Sequence, residues 1–372
     1  MRRLLFIFGT RPEAIKLCPV VLYMRKHAPE FDVRVCVTAQ HRGLLDQVLA
    51  AFEVRPDIDL DVMLPGQTLF QSTSRILSGL EPVLTDLKPS MVFVQGDTTT
   101  TFCGALGAFY RQIPVGHVEA GLRTGDLREP FPEEMNRVLT TRLTALHFAA
   151  TGGAAQNLIA EGIDAATVSI TGNTCIDAVL HVRDGLENGT MAAPDWPLVN
   201  ANRKLLLVTA HRRESFGEGF EQICLALATL AQRPDVQIVY PVHPNPNVLG
   251  PVNRHLGNLK NVHLIEPQSY VPFVDLMRRA HILITDSGGV QEEGPSLGKP
   301  ILVMRDKTER PEAVEAGTVK LVGTDQNRIV SEAVRLIEDS DAYQAMARVH
   351  NPYGDGHASR RILDATRSFL NK

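Results

Sequence analysis

No apolar run in this 372-residue chain approaches the ~20 residues needed to span a bilayer. The arginine-flanked start, MRRLLFIF, loses its apolar stretch at Gly9. That is too short for the apolar core of a signal peptide and reads as a first strand. A charge excess of either sign is missing too, the formal net charge being −4. On that balance neither nucleic acid nor an anionic membrane is expected as a partner. The cysteines are few and odd in number (Cys18, Cys36, Cys103, Cys175, Cys224), and no two stand at metal-ligand spacing. Reduced thiols in a cytoplasmic protein are expected, with no disulfide framework and no metal site. The nucleotide signatures GxGxxG and GxxxxGKS/T are absent, which weighs against NAD and ATP.

What the chain does have is alternation. Short β-rich runs, LLFIF (4–8), VRVCVT (33–38), MVFV (91–94), PVGHV (114–118), LHFAA (146–150) and VSI (168–170), are separated by longer stretches of helical spacing. This is the rhythm of a doubly wound parallel sheet. Residues 183–203 are polar, carry Pro and Gly, hold the single Trp and read as a linker. The rhythm then restarts with KLLLVTA (204–210), VQIVYPV (236–242), VHLI (262–265), HILIT (281–285), PILV (300–303) and VKLVG (319–323). Two similar α/β domains facing a cleft are expected, with boundaries at 1–172 and 173–355 and a terminal helix at 356–372.

Ligands of open α/β sheets bind beyond the carboxyl ends of strands, and the polar motifs fall there. In FGTRPEAIK, Thr10 suits a helix cap and Arg11 and Lys16 are cations near a helix start, where a diphosphate binds well. A plain strand-to-helix turn explains the same residues equally well. In QGDTTTTF, four threonines open a helix without favouring it by propensity, and Asp97 is either a cap or a functional acid. GHVEAGLRTGD places Glu119 at another strand end and leads to PEEMNR, where one of Glu133 and Glu134 serves the helix dipole. Convergent carboxylates suit acid–base chemistry, with a Mg²⁺ held by acids as the rival.

In the second half, AHRRESFG puts His211, Arg212 and Arg213 after a strand, and YPVHPNPN puts His243 after the next. Gln268 and Phe273 offer an amide and an apolar face of the kind a nucleobase uses, or are ordinary loop and packing residues. TDSGGVQEE places Ser287, Gly288 and Gly289 at a helix start, where unpaired N–H groups and absent side chains suit a phosphate. Glu293 follows about one turn on, where it reaches a ribose. Glu292 faces elsewhere and is expected to be structural. Arg310 is a forked donor for diphosphate or a solvated cation.

Taken together, FGTRPEAIK, GDTTTT, GHVEAGLRTGD, PEEMNR, ITGNTCIDA, AHRRESFG, YPVHPNPN, TDSGGVQEE, PSLGKP, RDKTERPEA and NPYGDG closely resemble the non-hydrolysing UDP-N-acetylglucosamine 2-epimerases. The resemblance covers almost the whole chain except the neighbourhood of 183–203. It implies two Rossmann-like domains of GT-B type, a final helix returning to the first domain, a homodimer and no cofactor. It also implies C2 inversion by elimination of UDP to 2-acetamidoglucal and re-addition, supplying a polysaccharide precursor. Carried onto matching positions, Asp97, Glu119, Glu133 and His211 serve the chemistry. Arg11, Lys16, Asp97, Glu119, His211, Gln268, Phe273, Ser287, Gly288, Gly289, Glu293 and Arg310 hold UDP-N-acetylglucosamine, with Gln268 and Phe273 at uracil and Glu293 at ribose. Gln40, Glu133, Arg212 and His243 match an activating second UDP-N-acetylglucosamine site. Gly43 and Gly66 stand where some members use longer polar side chains, so that site is matched incompletely. A hydrolysing relative, a catalytically silent UDP-sugar-binding regulator and a retaining glycosyltransferase of the same fold are the competing functions.

Overall fold

A parallel strand covered by helices on both faces has no solvent side, so it reads as a continuous apolar run rather than an alternation. The first strand fits that rule, with Leu4, Leu5, Phe6, Ile7 and Phe8 each 0% exposed. The computed structural model describes residues 1–39, 42–64 and 66–371. It divides the chain into two compact units, Met1–Ala178 with Gly354–Lys372, and Val179–Tyr353. The expected boundary between 172 and 173 falls in the loop just before this junction.

The first unit alternates β1 (Arg2–Phe8), α1 (Arg11–His27), β2 (Phe31–Val37), α2 (Arg42–Ala51), β3 (Ile58–Asp59), α3 (Leu69–Leu87), β4 (Met91–Gln95) and α4 (Thr99–Tyr110). It continues with β5 (Val115–Ala120), α5 (Glu133–Leu143), β6 (Leu146–Ala149), α6 (Gly152–Ala160), β7 (Val168–Ile170) and the start of α7 (Thr174–Glu187). Its seven strands pair in parallel in the order β3-β2-β1-β4-β5-β6-β7. The order reverses between β1 and β4, which opens a crevice beyond their carboxyl ends.

The second unit repeats the plan: β8 (Lys204–Thr209), α8 (Glu218–Leu230), β9 (Val236–Pro241), α9 (Pro246–Leu256), β10 (Val262–Ile265), α10 (Tyr270–Arg279), β11 (Ile282–Thr285) and α11 (Gly288–Glu293). Then come β12 (Ile301–Val303), α12 (Pro311–Glu315), β13 (Val319–Leu321), α13 (Gln326–Glu338) and α14 (Ser340–Ala347). Its six parallel strands run β10-β9-β8-β11-β12-β13, so the reversal lies between β8 and β11. Leu206, Val208, Phe220, Tyr240, Ile282 and Ile284 stand in its core.

Helix α15 (Ala358–Leu370) belongs to the first unit and lies against α1. Its buried Ala358, Ser359, Ile362, Leu363 and Thr366 form one helical stripe. Asp177 accepts the N–H of Ala358 at 3.2 Å and of Ser359 at 2.8 Å, so α7 caps α15 from a distance in sequence. At the other end Arg367 meets Glu30 at 2.6 Å and the His27 carbonyl at 2.8 Å.

Every strand expected from sequence is present. The two-residue β3 is an addition, too short to carry a pattern. The expected linker differs at its start, because residues 183–187 continue α7. Val179, Val182 and Leu186 are buried at helical spacing and carry the helix past the polar residues between them. Among the described residues no helix is long and apolar enough to cross a membrane.

Candidate active site

In the first unit the site grows from the turns after β1 and β4. Gly9 ends β1 where an added Cβ would lie 2.0 Å from Thr38 Oγ1, so only glycine passes there. Thr10 then caps α1 in a reciprocal box with Glu13. Glu13 is 1% exposed, and burial raises its pKa against the pull of its donors. Its carboxylate accepts from Gly9 N at 3.0 Å, Thr10 N at 2.7 Å, Thr10 Oγ1 at 2.7 Å, Thr98 Oγ1 at 2.8 Å and Thr101 Oγ1 at 3.2 Å. One carboxylate thus ties the turn carrying Arg11 to the turn carrying Asp97. This also accounts for the threonine run: Thr98 caps α4, Thr101 binds Glu13, and Thr100 meets Thr38 at 2.9 Å.

Asp97 lies outside this cap, its side chain 29% exposed and 2.8 Å from Arg137 Nη2. Burial raises its pKa to about 6, opposed by Arg137 and Lys16 and reinforced by the charges of Glu119 and Glu133. Asn136 Nδ2 holds the Asp97 carbonyl at 2.9 Å, and the His117 imidazole holds the Gly96 carbonyl at 2.7 Å. Burial pushes His117 down to about 4, so it is a neutral donor to that carbonyl.

Glu119 sits near the end of β5 at φ 63, where the register with β6 shifts. A bulge there re-aims the side chain. Its carboxylate takes Lys16 Nζ, Gln95 Nε2 and, at 3.0 Å, Asn173 Nδ2. Glu133 opens α5 and is half-buried, while Glu134 is 1% exposed and accepts the N–H groups of Thr124 at 3.0 Å and Gly125 at 3.1 Å. The pair of acids therefore splits into one group near Asp97 and one loop anchor. Arg11 is half-buried and forms no ion pair among the described residues. The first unit offers a raised carboxyl and, close by, a carboxylate held by a cation and two amides, two acids in unlike surroundings.

The second unit builds on the turns after β8 and β11. His211, its side chain 43% exposed, follows β8, and its Nδ1 lies 3.3 Å from Asp286 Oδ1. Its ring stacks on His243 with centroids 5.7 Å apart and planes at 14°. Ser287 precedes α11, and its side chain makes no capping hydrogen bond among the described residues. Arg310 pairs with Glu292, and a Cβ added at Gly288 would lie 3.7 Å from Arg310 Nη2. Glu292 was expected to face elsewhere; instead it holds the guanidinium of Arg310 beside the start of α11. Glu293 is 8% exposed and accepts the Tyr270 hydroxyl at 3.2 Å. Gln268 donates to the Glu266 carbonyl at 2.7 Å, and Phe273 is half-buried on the first turn of α10. Arg212 gives its backbone N–H to Asp286 at 2.7 Å. Gln40 lies outside the described residues.

Sequence reasoning missed Gln95, Asn173, Arg137, Tyr270 and Asp286. Each touches a nominated residue only through the fold, and single-sequence patterns carry no signal for such contacts. All five cysteines are buried and none forms a disulfide among the described residues, and burial lifts Cys18, Cys36, Cys103 and Cys224 to about 12, unsuited to nucleophilic work.

The family profile described as UDP-N-acetylglucosamine 2-epimerase matches residues 24–367. A Salmonella typhimurium protein named UDP-N-acetylglucosamine 2-epimerase is 59% identical over 372 residues, covering 99% of each chain. A crystal structure of UDP-GlcNAc 2-epimerase from Neisseria meningitidis bound to UDP-GlcNAc is 50% identical with a TM-score of 0.88, covering 98% of this chain and 100% of that one. The Methanocaldococcus jannaschii UDP-GlcNAc 2-epimerase in complex with UDP-GlcNAc and UDP is 32% identical with a TM-score of 0.75, covering 98% and 99%.

Proposed function

The chain belongs to the UDP-N-acetylglucosamine 2-epimerase family, and from that premise we propose that it interconverts UDP-N-acetylglucosamine and UDP-N-acetylmannosamine by elimination and re-addition of UDP. As a member it is an isomerase. The C2 proton of the sugar is not next to a carbonyl and is hardly acidic. Elimination answers this: a base removes that proton as the C1–O bond to UDP breaks, leaving 2-acetamidoglucal. Re-addition of UDP with protonation from the opposite face completes the inversion. Such a route asks for a base and an acid at C2 and for donors at the departing diphosphate.

The observation that carries this reading is the pair of unlike acids in the first unit: Asp97 raised to about 6, and Glu119 in the grip of Lys16, Gln95 and Asn173. Asp97, Glu119 and Glu133 are the groups for proton transfer at C2, and Arg11 and Lys16 supply positive charge beside them. In the second unit Ser287, Gly288, Gly289, Arg310 and His211 take the diphosphate. Glu293, with Tyr270 beside it, takes the ribose, and Gln268 and Phe273 take the uracil. Arg212 and His243 stand ready for a second, activating UDP-N-acetylglucosamine. The product is a precursor of cell-surface polysaccharide, and the working form is a homodimer.

The test is proton NMR of UDP-N-acetylglucosamine incubated with the protein in D₂O. UDP-N-acetylmannosamine should accumulate to equilibrium with deuterium at C2 of both sugars. Free N-acetylmannosamine as the main product, or turnover without C2 exchange, would overturn the mechanism. Asp97→Asn and Glu119→Gln should each lower kcat on the order of 10²-fold or more, with UDP binding kept.

A further inference from the structure

We propose that Asp286 is the positioning residue for His211, its Oδ1 taking the imidazole Nδ1–H so that Nε2 is the nitrogen presented to the diphosphate. The inference rests on the reading above, in which His211 meets the departing diphosphate.

Asp286 lies between β11 and α11 and is 2% exposed. Its two oxygens do different things. Oδ2 accepts the backbone N–H of His211 at 2.6 Å and of Arg212 at 2.7 Å. This fastens the loop after β8 to the end of β11, at the point where the strand order reverses. Oδ1 is buried and has no hydrogen-bond partner among the described residues. A buried carboxylate oxygen left without a donor is costly, and the group beside it is His211 Nδ1 at 3.3 Å. A small turn of the exposed ring aligns an Nδ1–H with that oxygen.

The rest of the ring's surroundings favour the same arrangement. His243 stacks on its face, so the imidazole is held at an edge and a face together. His243 has its Nδ1 engaged elsewhere, accepting the Asn245 N–H at 3.1 Å. With Nδ1 committed to the carboxylate, Nε2 remains for the ligand. When Nε2 also carries a proton, its charged N–H is a strong donor to a diphosphate oxygen. A carboxylate behind a working histidine fixes tautomer and orientation in the same way in hydrolase triads.

Asp286→Asn separates this role from the structural one. The amide oxygen can keep both backbone donors, while the NH₂ group then faces Nδ1 and favours the opposite tautomer. Two-bond ¹H–¹⁵N correlation spectra of ¹⁵N-histidine-labelled full-length protein, with and without UDP, read the tautomer directly. The His211 signals are assigned by their loss in His211→Gln. The wild type should show a protonated Nδ1 and Asp286→Asn a neutral Nε2–H form. Turnover by Asp286→Asn should fall on the order of 10²-fold in kcat, with KM within about threefold. Asp286→Glu, which keeps an acceptor toward Nδ1, should keep the wild-type tautomer and recover part of the rate. It is also the variant to read if Asp286→Asn fails to unfold cooperatively. Identical His211 signals in wild type and Asp286→Asn, or a change confined to KM, would overturn the inference. Wild-type turnover by His211→Gln would instead sink the reading of His211 itself, leaving the tautomer result to stand or fall alone.

Discussion

Asp97 carries a testable cost. Its ordinary value is 3.8, and burial first of all raises it to about 6 in the folded protein. The folded state therefore holds this proton more tightly than the unfolded chain does. Ionising Asp97 removes stability progressively as pH rises from 3.8 through about 6, and the full cost is present above that. By the size of the shift it is at most about 3 kcal/mol. Asp97→Asn abolishes the ionisation, so its Tm relative to wild type should be higher at pH 7.5 than at pH 4. A difference in Tm that does not change between those two pH values would contradict the assignment. At this scale the sequence revealed where the acids lie and little of what surrounds them. Asp97, Glu119 and Glu133 could be named because they follow strands or open a helix. Arg137, Gln95 and Asn173 could not, since Asn173 reaches Glu119 across 54 residues of chain and only the packed sheet brings them together.

At the scale of elements, α15 shows how a helix from the end of the chain is held in place. The side chain of its own cap residue, His357, makes no capping hydrogen bond, and Asp177 supplies the missing acceptors. Arg361 adds a bond to the Thr171 carbonyl at 3.0 Å and a forked pair with Asp355, whose carboxyl it holds near 2. Asp177→Ala should destabilise the protein by about 1–3 kcal/mol, the range for a lost cap or for buried donors left unsatisfied. Urea unfolding measures that loss, and amide exchange should quicken first at Ala358 and Ser359. Unchanged exchange at those two amides would mean that another group caps the helix. The strands were legible because a buried parallel strand is apolar along its length, as residues 4–8 and 91–94 are. Which strands are neighbours was not, since order depends on long-range pairing. That order matters here, as it brings the turn after β1 beside the turn after β4, and the turn after β8 beside the turn after β11.

At the scale of the whole molecule, two units of the same plan each carry one reversal of strand order, and the nominated residues gather at both. The two units are not equally easy to observe. Trp196 is the only tryptophan in the chain, and it belongs to the second unit. Its Nε1–H donates at 2.9 Å to Asp275, a buried carboxylate that also holds Arg278 at 2.6 Å and Arg279 at 2.8 Å. Tryptophan emission is therefore an intrinsic optical reporter of one unit, whereas circular dichroism averages over both. A ligand that binds only the folded form shifts unfolding by mass action, about 2.7 kcal/mol at a hundred times its Kd. UDP at that excess should move the emission-detected urea midpoint upward. A midpoint that stays fixed would place the nucleotide outside the unit that this single fluorophore watches.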